Sequence, residues 1–137
     1  KEQDISDVWT KHKNLSKSIW AAFDRWSTQG SIEMNVRDIN LRSHAVTAAS
    51  ISNGGAKKLQ DWCEENSDLT LGIGLGMADQ EDPKILDFFR IGHMGHINAT
   101  MILGVISKID VGLKALKIPH GQYALEAATD TLAKTYK

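Results

Sequence analysis

Cysteine is almost absent from this chain. Cys63 stands alone, so no internal disulfide can form, and the disulfide-stapled scaffolds of small secreted proteins are excluded. A lone thiol in a helix pattern is read as inert; it fits a reducing compartment, and the cytoplasm is the expected location. An excess of charge is also absent. Lys+Arg 16 against Asp+Glu 17 leaves a formal net charge of -1, which argues against nucleic acid or a polybasic membrane surface as partner. The hydrophobic fraction is 42%, yet no apolar run approaches membrane-spanning length. There is no internal repeat, low-complexity stretch, linker, Walker motif or Gly-x-Ser-x-Gly elbow. No signal peptide is visible. The sequence opens at Lys1 without a methionine, so a natural start upstream is expected.

What is present suits one compact domain of 137 residues with its own core. Ile5, Val8, Trp9, Leu15, Ile19, Trp20, Phe23 and Trp26 fall on one helical face, predicting a helix over 5–26 that Asp4 or Ser6 can cap. Its three tryptophans are a large apolar load, read first as core, with some free to cover another domain. Strands are predicted at Ile32–Val36 and Ala45–Ile51, separated by a polar loop over 37–44. The Asn53-Gly54-Gly55 turn leads into a helix over 56–66, with Leu59, Trp62 and Cys63 inward. Further strands are expected at Leu69–Ile73 and at Ile85–Ile91, with a charged turn at 79–84 between them.

The best-marked helix runs over 98–117, capped by Asn98, with Met101, Val105, Ile109, Leu113 and Leu116 at helical spacing and Pro119 as its stop. Gly104 and Gly112 lower its propensity; close packing on the sheet would account for both. A last helix is predicted over 121–135. The order of elements gives α+β: a small two-layer sandwich, its mainly antiparallel sheet packed with helices.

Two patterns imitate sites. Gly72-Ile73-Gly74-Leu75-Gly76 follows a strand but lacks the third-glycine spacing of a dinucleotide fingerprint and leads into an acidic turn, not a helix. Its glycines are read as allowing a sharp turn or a close approach. His93 and His96 are spaced by three, with no acid between them and no further Cys/His ligands, so no metal is expected.

The informative stretch is Phe88-Phe89-Arg90-Ile91-Gly92-His93-Met94-Gly95-His96. An arginine at the end of a mostly buried strand needs a partner, and its planar fork suits a carboxylate. Two readings stay open on chemistry alone: a salt bridge within the domain, to Asp79, Glu81 or Asp87, or a ligand carboxylate. His93, three residues on, is a second candidate for facing whatever Arg90 binds.

The words Arg90-Ile91-Gly92-His93-Met94-Gly95, followed by Asn98 and a helix, resemble the C-terminal signature of the class V aminotransferases. Within them the chain is most similar to the alanine-glyoxylate and serine-glyoxylate (serine-pyruvate) group, fold type I enzymes that use pyridoxal 5'-phosphate. The resemblance follows the family's order of elements along most of the chain, and only its smaller, C-terminal domain. It implies that 1–137 is that small domain and that the large domain, absent here, carries the Schiff-base lysine and the cofactor. It implies that Arg90 binds the substrate α-carboxylate, that no catalytic or cofactor-binding residue lies in this chain, and that this piece alone is inactive. It implies an intact homodimer moving an amino group from alanine, serine or a related amino acid to glyoxylate or another 2-oxo acid. The alternative from a different class is a stand-alone α+β interaction module whose tryptophan-rich helix binds a partner. The donor stays open, because alanine, serine and ureidoglycine-type donors present the same carboxylate.

Overall fold

The structure, a computed structural model, describes residues 4–136; Lys1, on which the expectation of an upstream start rests, lies outside them. Helix α1 spans Ile5–Trp26, the bounds its apolar spacing predicts. Neither candidate cap bonds the helix start: the Asp4 carboxylate accepts from Ser6 Oγ at 2.9 Å instead. The second half of α1 is sunk in the core through Ile19, Trp20, Phe23 and Trp26. Trp26 Nε1 donates to Asp110 Oδ1 at 2.9 Å, tying α1 to a later helix. The first half is different, with Ile5 exposed and Trp9 68% exposed.

Strand β1 is Ile32–Met34 and β2 is Val46–Ile51; the polar loop between them includes a single 3-10 turn, Ile39–Leu41. Helix α2, Gly55–Ser67, buries Leu59 and Cys63 as its pattern predicts. Burial raises the Cys63 thiol pKa, which leaves it protonated and inert. All four strands are shorter than expected: β1 stops at Met34 and not Val36, and β2 starts at Val46 and not Ala45. Of the stretch 69–73 only Gly72–Ile73 pairs, forming β3. The last strand, β4, is Phe88–Gly92, not Ile85–Ile91. Ile85, Leu86 and Asp87 belong to a 3-10 turn over Pro83–Asp87, started by Asp82, whose carboxylate accepts from Lys84 N at 2.9 Å. Pro83 presets the turn dihedral, and this local chemistry outweighs the apolar run.

Helix α3 is Ala99–Ala115, and Asn98 caps it by accepting from Met101 N at 2.9 Å. Its buried face is Ile102, Ile106, Ile109 and Leu113. Met101 is half exposed, so the expected stripe is turned by one position at its start. A Cβ at Gly112 would come within 2.7 Å of Leu59 Cδ1 and 2.8 Å of Trp62, so this glycine allows α3 to approach α2 and not the sheet. Gly104 meets nothing within 4 Å, and packing does not account for it. Helix α4 is Ala124–Ala133, shorter than predicted at both ends, with Tyr123 in a left-handed conformation just before it.

The four strands are ordered β1-β2-β4-β3, and every pair is antiparallel. Register puts Ile32, Met34, Thr47, Ala49, Ile51, Phe89 and Ile91 on one face, and all seven are buried. Phe23 of α1 meets Phe89 there at 5.9 Å between ring centroids. The other face carries Glu33, Ser50 and Phe88 in one row, then Ala48, Arg90 and Gly72 in the next. None of these is buried. The α+β two-layer class is as expected, with one layer of helices on one layer of sheet.

Candidate functional site

Arg90 lies in the middle of β4, not at a strand end, because pairing continues through Ile91 to Gly92 opposite Val46. The period of two then sends its side chain to the open face, since Phe89 and Ile91 take the covered one. Arg90 Nε donates to the Ile73 carbonyl at 2.7 Å. That bond fixes the stem of the guanidinium against β3. Both neighbours there are glycines for a reason: a Cβ at Gly72 would sit 3.2 Å from the Arg90 carbonyl, and one at Gly74 would strike Phe88. The Gly72–Gly76 run therefore serves close approach, with Gly76 supplying a left-handed turn.

No acidic side chain pairs with Arg90 among the described residues. Asp87, one of the three candidate acids, instead accepts from Gly54 N at 2.5 Å. With Nε engaged by Ile73, the end-on pair Nη1 and Nη2 has no hydrogen-bond partner among the described residues. A groove of about 310 Å³ runs beside it, lined in part by Val46, Thr70, Gly72, Arg90 and Val105. Chemically this is a planar double donor, half-buried and anchored, facing open space.

His93 is placed elsewhere. It continues the covered face beyond β4, is fully buried, and so points away from Arg90. Its ring nitrogens lie 2.9 Å from Thr47 Oγ1 and 3.1 Å from the His44 carbonyl oxygen. Burial lowers its pKa, against the bond to the His44 carbonyl, with His12 and His44 adding to the depression. Thr47 in turn accepts from Trp20 Nε1 at 3.1 Å. The sequence gives no signal for this group: its members are spaced 27 and 46 residues apart and share no motif. His96 is exposed.

A larger cavity, about 580 Å³, opens between the first half of α1 and the segments 43–45 and 94–96, lined by Trp9, His12, His44, Met94 and His96 among others. Arg90 does not line it. His12 donates from Nδ1 to the Val8 carbonyl at 2.6 Å, which leaves Nε2 buried without a partner. Among the described residues, no group of three or more His, Cys, Asp or Glu side chains is arranged to hold a metal, and no helix is long and apolar enough to cross a membrane.

One covered sheet face, one open face and an arginine fork without an acidic partner among the described residues characterise this α+β domain. The same architecture occurs in the ureidoglycine-glyoxylate aminotransferase of Bacillus subtilis. Its structure matches 90% of this chain and 30% of its own, with a TM-score of 0.73 and 18% sequence identity, a likeness that establishes the fold. Two curated relatives agree in sequence. Serine–glyoxylate aminotransferase from Arabidopsis thaliana is 25% identical over 121 residues, covering 86% of this chain and 27% of the relative. L-aspartate–glyoxylate aminotransferase from Paracoccus denitrificans is 25% identical over 118 residues, covering 85% of this chain and 27% of the relative. No family model matches the chain. The resemblance to the glyoxylate aminotransferases is thereby shown, and the chain spans between 27% and 30% of the length of the proteins it matches. These relationships do not favour a stand-alone interaction module.

Proposed function

We propose that the chain is the smaller, carboxylate-binding domain of a pyridoxal-phosphate aminotransferase of the glyoxylate type. In this reading Arg90 grips the α-carboxylate of the amino donor and of the 2-oxo acid acceptor. The observation that carries it is the free end of the Arg90 guanidinium on an uncovered sheet face, anchored through Nε to Ile73. An end-on, bidentate, charge-assisted pair is the geometry left to it. Such a grip orients the substrate and leaves its reacting carbon to groups supplied from elsewhere.

The cofactor itself does not fit the described residues. Pyridoxal phosphate needs a lysine for its Schiff base, an acid at the ring nitrogen and a phosphate cradle. No described lysine is buried, and the Lys114 pKa is raised by its bond to Asp110, the opposite of an activated amine. The larger domain therefore holds the cofactor in this reading, and the present chain alone does not transaminate. The relatives are named for serine, aspartate and ureidoglycine. The donor here is alanine, serine or a related amino acid, and the acceptor glyoxylate or another 2-oxo acid. A cytoplasmic homodimer completes the proposal; sedimentation of the active enzyme as a monomer would refute that part.

The central test is Arg90→Ala in the intact enzyme. KM should rise for amino and keto acids alike, with a loss of about 2–5 kcal/mol, the cost of breaking a desolvated charge pair. Arg90→Lys should recover only part, since a point charge cannot reproduce the fork. Cofactor absorbance should stay as it is. Unaltered kinetics in Arg90→Ala would end the assignment.

A further inference from the structure

The hydrogen bonds around His93 admit one protonation state. The His44 carbonyl, 3.1 Å from Nδ1, can only accept, so Nδ1 carries a proton. Trp20 Nε1 can only donate, and it lies 3.1 Å from Thr47 Oγ1. The Thr47 hydroxyl thus accepts from Trp20 and turns its own hydrogen to His93 Nε2, 2.9 Å away. Nε2 must then be bare. A protonated His93 would present a second hydrogen to Thr47, whose own hydrogen would lose its acceptor inside the core. The titratable groups bearing on His93 are His12 on α1 and His44 before β2, neither of them acidic.

His44 is itself held. Ser16 Oγ donates to the Lys13 carbonyl at 3.0 Å, so it accepts from His44 Nδ1 at 2.6 Å. The His44 ring stacks on Trp20, 5.2 Å between centroids. Helix α1, the segment before β2, β2 itself and the residue after β4 are thereby joined at one point. The His93 backbone adds a bond from N–H to the Ala45 carbonyl at 2.8 Å. This junction closes the β2–β4 ladder at Thr47 opposite Ile91 and Val46 opposite Gly92. The next rung is Ala48 opposite Arg90.

We propose that His93 is the positioning residue for Arg90. As a neutral, Nδ1-protonated imidazole on the covered face, it clamps the end of β4 onto β2 and α1, and so fixes the strand from which the Arg90 fork projects on the open face. Its importance for function rests on the carboxylate reading of Arg90. The clamp itself can be tested without that reading.

Nitrogen-15 NMR of the chain reads it directly. At neutral pH His93 Nε2 should resonate as a bare ring nitrogen and Nδ1 as a protonated one. The Arg90 Nε–H signal, identified by its loss in Arg90→Lys, should lose protection, measured as its exchange rate relative to the intrinsic base-catalysed rate at the same pH, as His93 is protonated and also in Thr47→Val. The expected factor is roughly three- to tenfold, what one lost hydrogen bond represents. The Gly54 N–H, held by Asp87 at the opposite end of β4, is the control for general loosening and should not follow. A bare Nδ1, or an Arg90 protection that stays constant or merely tracks that of Gly54, would overturn the clamp. If Thr47→Val does not fold, the pH titration of the unsubstituted chain decides alone. Added glyoxylate, read at the same Arg90 signal, tests the carboxylate reading separately.

Discussion

The same four strands present two faces with opposite chemistry. The covered face is Ile, Phe, Ala and Met with one threonine, buried and met by Phe23 and Trp20 from α1. The open face sets Glu33, Ser50, Ala48, Gly72 and Phe88 around one arginine with no acidic partner among the described residues. A chain folding only for its own stability gains little from an unpaired guanidinium laid against backbone. The difference between the faces teaches where to look: one face makes the domain, and the other is left for something to meet.

The contrast breaks most sharply at adjacent residues of β4. Phe89→Ala should cost about 3–5 kcal/mol in urea unfolding, through lost burial and a cavity. Arg90→Ala should shift the same midpoint by only about 0.5 kcal/mol, as for a surface change. A reversal of that order would mean that Arg90 is structural and that the division of the faces is wrong.

A smaller effect should come from pH. The unfolded His93 pKa is near 6.5, and in the fold it is lowered, first by burial. Below 6.5 the unfolded chain therefore binds more protons than the folded one, and stability falls as pH drops toward the folded value. The slope attributable to one such group is at most about 1.4 kcal/mol per pH unit. Unfolding midpoints between pH 7 and 5, compared with those of His93→Gln, should show this slope weakened in the variant. Equal slopes would place the sensitivity elsewhere, with His44, whose pKa is also lowered by burial.

The smallest effect distinguishes the two halves of α1. Trp9→Ser should change stability by no more than about 0.5 kcal/mol, because Trp9 is 68% exposed. Thermal unfolding that drops as far as for a buried aromatic would show that Trp9 packs against the domain.

Much of this was legible as pattern. The period of 3.6 placed α1 to the residue, because its apolar stripe runs from Ile5 to Trp26. The motif around Arg90 implied a carboxylate only through the family resemblance; the residues alone left a salt bridge within the domain equally open. What failed was local. Ile85 and Leu86 look like strand, yet Asp82 and Pro83 bend them into a turn. Leu71 is buried and was read as strand, but only Gly72 and Ile73 pair. The burial of His93 was not legible: its partners, Thr47, the His44 carbonyl and, through Thr47, Trp20, come from distant segments that only the fold brings together.

The sheet's outermost strands are its shortest, three residues in β1 and two in β3. An extended peptide seeking to add itself as a fifth strand would find only a few free backbone groups at either side. Strand addition and runaway edge-to-edge pairing are thereby discouraged. A partner of this domain is left to approach broadside, across the surface from which Arg90 projects.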